Sequence, residues 1–218
     1  MLNARGRTSI RPFVEPVAAS LNRAGVSPNS ATVFGTAVSI ALAITLIPAG
    51  QLWLAALLLA ISTAFDLVDG TMARLRGGGT KFGATLDASC DRLTDAALFG
   101  SLVYWVVFSY GANRMLLILT LITMGASQAV SYVKARAEAG GLNIDGGLVE
   151  RAERLSLTLI GMFLHGVGVP YALEVAMWLL CVGSLVTVIQ RLLMAARHQS
   201  AQEFIAPPAG AQSPETTT

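Results

Sequence analysis

Charge is what this sequence has least of: Asp, Glu, Lys and Arg make up 13% of its 218 residues, against 54% hydrophobic. Disordered chains are poor in hydrophobic residues and rich in charge, so disorder of the whole chain is excluded. A mean hydropathy of +0.61 is equally foreign to a soluble cytosolic enzyme of this length. Neither sign of charge dominates. With 15 Lys and Arg against 13 Asp and Glu, the net +2 offers no electrostatic footprint for nucleic acid. Cysteine and histidine occur twice each. Cys90 and Cys181 fall inside long apolar runs and share no ligand spacing with each other or with His165 and His198. That pattern excludes a disulfide framework and predicts two buried thiols acting as small hydrophobes. An internal repeat is also missing, which weakens an inverted-repeat transporter reading.

What the chain has in abundance is apolar runs. A window of about 19 residues finds six of them, at 31–47, 52–72, 84–110, 114–133, 155–169 and 171–194. Each approaches the ~20 residues that a bilayer-crossing helix needs, so the predicted fold is an all-α polytopic membrane protein with six transmembrane helices. Residues 1–28 hold Arg5, Arg7, Arg11 and Arg23 without an uninterrupted apolar core, and no cleavable signal is expected there. Pro12, Phe13, Val14, Val17, Leu21 and Val26 are spaced to face lipid while the arginines meet anionic headgroups, which predicts an interfacial amphipathic helix. The membrane domain is then 29–198. Residues 199–218, rich in Ala, Pro, Gln and Thr, are expected to be a disordered tail. Six spans put both termini on one side. That side collects the leader arginines, Arg74, Arg76, Lys81, the cations of 134–154, Arg191 and Arg197, while the other side carries Arg114 alone. The positive-inside rule places both termini in the cytoplasm.

Five aspartates break the apolar pattern. Asp66 and Asp69 close the second run, and Asp87, Asp91 and Asp95 open the third. An Asp at a helix centre costs about 2.5–3.5 kcal/mol on the insertion scale, so five unpaired and central would cost on the order of 15 kcal/mol. Something positive must sit among them. At about 100° per residue, Asp66, Asp69, Gly70 and Ala73 share one helix face, as do Gly83, Asp87 and Asp91 on the next. Two antiparallel helices joined by residues 74–82 can therefore present four carboxylates to one another, with the small residues leaving room for a ligand. Oxygen-only clusters suit Mg²⁺ or Mn²⁺ rather than zinc. Carboxylate-held metal pairs recur in phosphoryl transfer, and Arg74 with the 77–80 Gly-Gly-Gly-Thr connection supplies a cation and open backbone N–H groups for phosphates. The competing reading pairs Asp66 and Asp69 with Arg74 and Arg76 as a solvated helix end, and it leaves Asp87 and Asp91 unexplained.

The stretch Asp66-Leu67-Val68-Asp69-Gly70-Thr71-Met72-Ala73-Arg74, followed by Gly83, Asp87 and Asp91 at spacings of eight, three and three, resembles the D-x-x-D-G-x-x-A-R-x8-G-x3-D-x3-D signature of the CDP-alcohol phosphotransferases. All eight fixed positions match. The resemblance implies that Asp66, Asp69, Asp87 and Asp91 share two divalent cations, Mg²⁺ with Mn²⁺ possible, and that Asp91 also takes the proton from the acceptor hydroxyl. It further implies that Asp69, Gly70, Ala73, Arg74 and Gly83 cradle the cytidine diphosphate, that Thr80 touches its phosphates, and that Asn29, Ser30, Ala31 and Thr32 contact the nucleotide. Asn29 or Ser30 would also serve as the N-cap of the first span. Asp95 and Arg92, three apart, are expected to pair beside this site.

The acceptor side is basic. Ser131-Tyr132-Val133-Lys134-Ala135-Arg136-Ala137-Glu138 and Glu150-Arg151-Ala152-Glu153-Arg154 resemble segments of the actinobacterial branch of that family whose acceptor is inositol phosphate. Lys134, Arg136, Arg151, Arg154 and Arg191 are the candidates to meet the acceptor phosphate, although Glu150 and Arg154 at i, i+4 would also make a simple helix pair. The resulting expectation is a bacterial cytoplasmic-membrane enzyme that moves a phosphatidyl group from CDP-diacylglycerol to inositol phosphate, releasing CMP. The resemblance also implies a homodimer. The rivals are a glycerol-phosphate acceptor, giving phosphatidylglycerophosphate, and a divalent-cation transporter.

Overall fold

In the computed structural model, which describes residues 14–203, every regular element is helical. Residues 14–23 form α1. The others are α2 Pro28–Leu46, α3 Leu52–Leu75, α4 Lys81–Phe108, α5 Arg114–Ala139, α6 Arg151–Gly166 and α7 Ala172–Ala196, followed by a 3₁₀ turn, Gln199–Gln202. Each predicted apolar run becomes one of the helices α2 to α7. Several helices extend beyond their runs into polar sequence, because backbone hydrogen bonding continues where hydropathy stops. Helices α2, α3, α5 and α7 are long and apolar enough to cross a membrane. By contrast, α4 carries Lys81, Asp87, Asp91, Arg92 and Asp95, and α6 has 16 residues.

Local chemistry sets the starts. Ser27 caps α2 by accepting from the Ser30 N–H at 3.0 Å, with Pro28 in the first turn. This corrects the expected cap at Asn29 or Ser30: Pro28 lacks an N–H and fits the first turn, so the cap falls one residue before it. Asn113 caps α5 in the same way through the Leu116 N–H.

The six long helices close a ring in the order α2, α3, α6, α7, α5, α4 and back to α2. Thus α2 packs on both motif helices, and α3 and α4 are not ring neighbours. One end of the ring is filled with apolar side chains, among them Leu98, Phe99, Leu102, Leu116, Met162, Met177 and Leu180, each at most 2% exposed. Between membrane helices close packing matters more than apolar burial. Accordingly, a Cβ added at Gly161 of α6 would lie 2.6 Å from the Ala176 Cβ of α7. Phe34, Phe65, Ile118, Leu179 and Ile189 point outward and are exposed, the apolar coat that lipid requires.

Two expectations at the termini change. The apolar face of α1 is not turned to lipid: Ala18 is fully buried against Val68 and Met72 of α3, and Val14, Leu21 and Val26 pack on the same cluster. Only Val17, among the described members of that face, stays exposed; Pro12 and Phe13 lie outside the described residues. The end of α3 offers an apolar surface that a ten-residue helix can cover at short range. Polar contacts fix the arrangement, with Asn22 donating to the Met72 carbonyl at 3.1 Å and Arg76 donating to Asn22 Oδ1 and the Val26 carbonyl at 2.8 and 2.7 Å. At the other terminus, the stretch expected to lack structure begins with a 3₁₀ turn, Gln199–Gln202, whose start is capped by His198 Nδ1 accepting from the Ser200 N–H. The tail beyond 203 lies outside the described residues.

Candidate active site

Opposite the apolar plug, where α3, α5 and α7 end and α4 and α6 begin, the ring opens into a cavity of about 1610 Å³. Asp66, Asp87 and Asp91 line it. Asp66 and Asp87 make no hydrogen bond or ion pair among the described residues, and the Asp66 Oδ1 fits against α2 where Gly35 lacks a side chain. Asp69 is buried and turned toward α2: its Oδ2 accepts from Thr32 Oγ1 and its Oδ1 from the Gly70 N–H, both at 2.5 Å. Asp91 pairs with Arg151 at 2.8 Å. Arg74 donates to Thr71 Oγ1 at 2.7 Å and Arg76 reaches back to α1, so the helix-end pairing of Asp66 and Asp69 with these arginines does not occur.

The expected short-range face-to-face pair of motif helices takes a different form. With α2 packed between α3 and α4, Asp66, Asp87 and Asp91 line the cavity while Asp69 is turned to α2. Among the described residues no three Asp, Glu, His or Cys side chains converge closely enough to hold an ion as they stand.

The residues assigned to the nucleotide gather elsewhere, where the first turn of α2 meets the end of α3 and the start of α4. None of Asn29, Ser30, Ala31, Thr32, Gly70, Ala73, Arg74, Thr80 and Gly83 lines the cavity. Gly83 is closely approached: a Cβ there would lie 3.1 Å from both Asn29 Oδ1 and Thr80 Oγ1, which would have to give by a few tenths of an ångström. The Thr80 hydroxyl is the N-cap of α4, accepting from the Gly83 N–H at 2.9 Å. Ser30 is tied to Ser27, their hydroxyls 2.8 Å apart, and Ala31 packs on the cluster of Val68 and Met72.

Of the acceptor candidates, Lys134, Arg151, Arg154 and Arg191 line the cavity, whereas Arg136 is exposed and does not. Arg154 is 1% exposed and donates to Asp95 at 2.6 Å; it does not pair with Glu150, which instead meets Arg191 at 3.4 Å. Arg191 also donates to the Gly146 and Val130 carbonyls at 3.0 and 2.7 Å. Lys134 pairs with Asp145 at 2.6 Å and Glu138 at 3.7 Å, and its ammonium holds the Asp145 carboxyl below the ordinary 3.8. The expected pair of Arg92 and Asp95 is present at 3.4 Å. Arg92 also donates to Ser131. Arg92, Ser131 and Tyr132 all line the cavity, yet no site role was predicted for them. Ser131 and Tyr132 open the segment that carries Lys134, and Arg92 follows Asp91, which is the signal that points to them.

Chemically the cavity sets acceptor-only carboxylates, drawn to cations, opposite guanidinium and ammonium donors, drawn to phosphate.

Comparison with known proteins identifies the family. The family model for CDP-alcohol phosphatidyltransferase matches residues 25–201. A phosphatidylinositol phosphate synthase of Corynebacterium glutamicum is 50% identical across the full length of both chains. Another, of Mycobacteroides abscessus, is 51% identical over 85% of this chain and 84% of its own. Among solved structures, the Mycobacterium tuberculosis phosphatidylinositol phosphate synthase with CDP-DAG bound superposes with a TM-score of 0.86 at 45% identity, covering 90% of this chain and all of that one. The same enzyme in complex with manganese and citrate gives 0.85, again at 45% identity, over 88% and 93%.

Proposed function

Because the chain belongs to the CDP-alcohol phosphatidyltransferase family, we propose that it transfers the phosphatidyl group of CDP-diacylglycerol to inositol phosphate and releases CMP. The observation that carries the reading is the cavity itself, with Asp66 and Asp87 unengaged on one wall and Lys134, Arg151 and Arg191 on the other. Relatives at about half identity named phosphatidylinositol phosphate synthase support the acceptor, as does the inositol-phosphate branch that the basic segments resemble.

The donor set fits hard divalent cations: it is oxygen-only, and two of its carboxylates have no hydrogen-bond or ion-pair partner among the described residues. Asp66, Asp69, Asp87 and Asp91 would hold two such ions, Mg²⁺ or Mn²⁺, once their side chains converge and Arg151 leaves Asp91. The ions, when bound, neutralise charge on the attacking and leaving oxygens. The protein's own groups do the rest. Asp91 takes the proton from the acceptor hydroxyl, whose oxygen bonds to the phosphatidyl phosphorus as the bond from that phosphorus to the CMP oxygen breaks. Gly70, Ala73, Arg74, Thr80, Gly83 and residues 29–32 hold the nucleotide. Lys134, Arg151 and Arg191 meet the acceptor phosphate, and Arg154 frames them through Asp95. Arg136, outside the cavity, has the weakest claim among the acceptor candidates.

In this reading all of α2 to α7 cross a bacterial cytoplasmic membrane, with both termini and the cavity on the cytoplasmic side and α1 at the interface. The membrane domain spans 29–198 between a basic leader and a C-terminal tail, and the enzyme works as a homodimer. The test is incubation of purified protein with CDP-diacylglycerol and a panel of acceptors, with the lipid product identified by mass. Phosphatidylinositol phosphate is expected with Mg²⁺ or Mn²⁺ and should vanish in excess chelator. Phosphatidylglycerophosphate would move the assignment to glycerol phosphate, and turnover in chelator would end the metal mechanism.

A further inference from the structure

Arg151, in the first turn of α6, reaches two carboxylates of α4. Its Nη2 lies 2.8 Å from Asp91, while its Nε lies 4.0 Å from Asp95 Oδ1. That Nε is buried and has no hydrogen-bond partner among the described residues, so one donor of the guanidinium is aimed at Asp95 without reaching it. Asp95 complements it. Its Oδ2 takes Arg154 at 2.6 Å and Arg92 at 3.4 Å, which leaves Oδ1 facing Arg151. The side chain of Asp95 is 3% exposed and that of Arg151 27%, so no flood of water competes for the gap.

We infer that Asp95 is a positioning residue, a second seat for Arg151, whose guanidinium covers Asp91 until a divalent cation takes that carboxylate and then closes on Asp95. The inference rests on the proposed role of Asp91 as a cation ligand. A guanidinium and a metal ion compete for the same oxygens, and an arginine displaced into a half-buried site without a partner is strongly unfavourable. Asp95 removes that penalty over a movement of about 1 Å, the difference between 4.0 Å and ordinary hydrogen-bond length. The move also turns Nη2 of Arg151 from Asp91 to the cavity, so a donor for acceptor phosphate becomes available only once the cation is in place.

The test is a Mn²⁺ titration of the full chain in detergent, without substrates, following free Mn²⁺ by electron paramagnetic resonance. Arg151→Gln should tighten Mn²⁺ by about 10-fold, the equivalent of one charge-assisted contact. Asp95→Asn should weaken it by a similar factor in the wild-type background and change it by less than about twofold in the Arg151→Gln background, the signature of coupled residues. Equal weakening in both backgrounds would mean that Asp95 acts through its own charge, and unchanged affinity in Arg151→Gln would mean that Arg151 does not compete; either overturns the inference. Because Asp95 is buried and its variant can fail to fold, a structure of the Mn²⁺-loaded wild type supplies an independent reading: Arg151 Nε must lie within hydrogen-bond distance of Asp95, and a guanidinium still on Asp91 refutes the second seat. Failure of the wild type to bind Mn²⁺, or indifference of binding to Asp66→Asn, would instead remove the metal reading beneath it.

Discussion

The two walls of the cavity differ in how far their charges are already committed. On the α3 and α4 wall, Asp66 and Asp87 have no hydrogen-bond or ion-pair partner among the described residues, and Asp91 pairs with an arginine contributed from across the ring. On the α5, α6 and α7 wall the cations are engaged: Arg154 by Asp95, Arg191 by two carbonyls and Glu150, and Lys134 by Asp145 and Glu138. The acidic wall carries charge without counter-charge at Asp66 and Asp87; on the basic wall Arg154, Arg191 and Lys134 are held by protein partners, and Arg151 leans across to Asp91. Removing an acidic group should therefore damage chemistry more than folding, and removing a basic one should divide according to its burial.

The largest expected effect is at Asp91. Asp91→Asn keeps the size but removes the proposed base and one proposed anionic ligand, so turnover should fall by about 10²–10⁴-fold or more, while nucleotide binding suffers less than in Asp69→Asn. Equal losses of binding in the two variants would break the division of roles on the acidic wall. Next comes Arg154, which is 1% exposed. Arg154→Met strands Asp95 without its shortest partner, and breaking a buried pair costs about 3–5 kcal/mol; a lower unfolding temperature in detergent is expected, and unchanged stability would show that the basic wall is less fixed than its contacts indicate. Smaller again is the effect at Lys134, whose side chain is one third exposed. Lys134→Gln should raise the Michaelis constant for inositol phosphate by about 10- to 100-fold and leave that for CDP-diacylglycerol almost unchanged. Arg136→Gln, on the same helix but outside the cavity, should change either constant by less than about twofold and serves as the control.

The acidic wall was the readable one because its information is local. Asp66, Asp69 and Gly70, or Gly83, Asp87 and Asp91, sit within one or two helical turns, and helical periodicity converts their spacing into a shared face. The six helices were readable for a similar reason, since a run of about 20 apolar residues has few other uses. The basic wall is assembled from distant sequence. Arg154 finds Asp95 59 residues away, and Arg191 finds the Val130 carbonyl at a separation of 61; the nearer partner, Glu150 at i−4, loses Arg154 to a buried carboxylate that only the folded ring brings close. The insertion of α2 between α3 and α4 was likewise invisible, because adjacency in sequence favours packing of neighbouring helices and says nothing about a third helix entering from outside. The face of α1 shows the same limit. Its apolar spacing was legible, but whether lipid or protein covers that face depends on where Val68 and Met72 end up.

The clamp between α1 and α3 bears on where this protein can be cut. The family match begins at residue 25, which would invite a truncation just ahead of α2. Such a truncation would take away Ala18 from its cluster with Val68 and Met72, and Asn22 from both the Met72 carbonyl and Arg76. Those contacts brace the last turns of α3, where Gly70, Ala73 and Arg74 stand. Helix α1 thus acts as a splint for the last turns of α3, and a truncation at residue 25 is expected to loosen them.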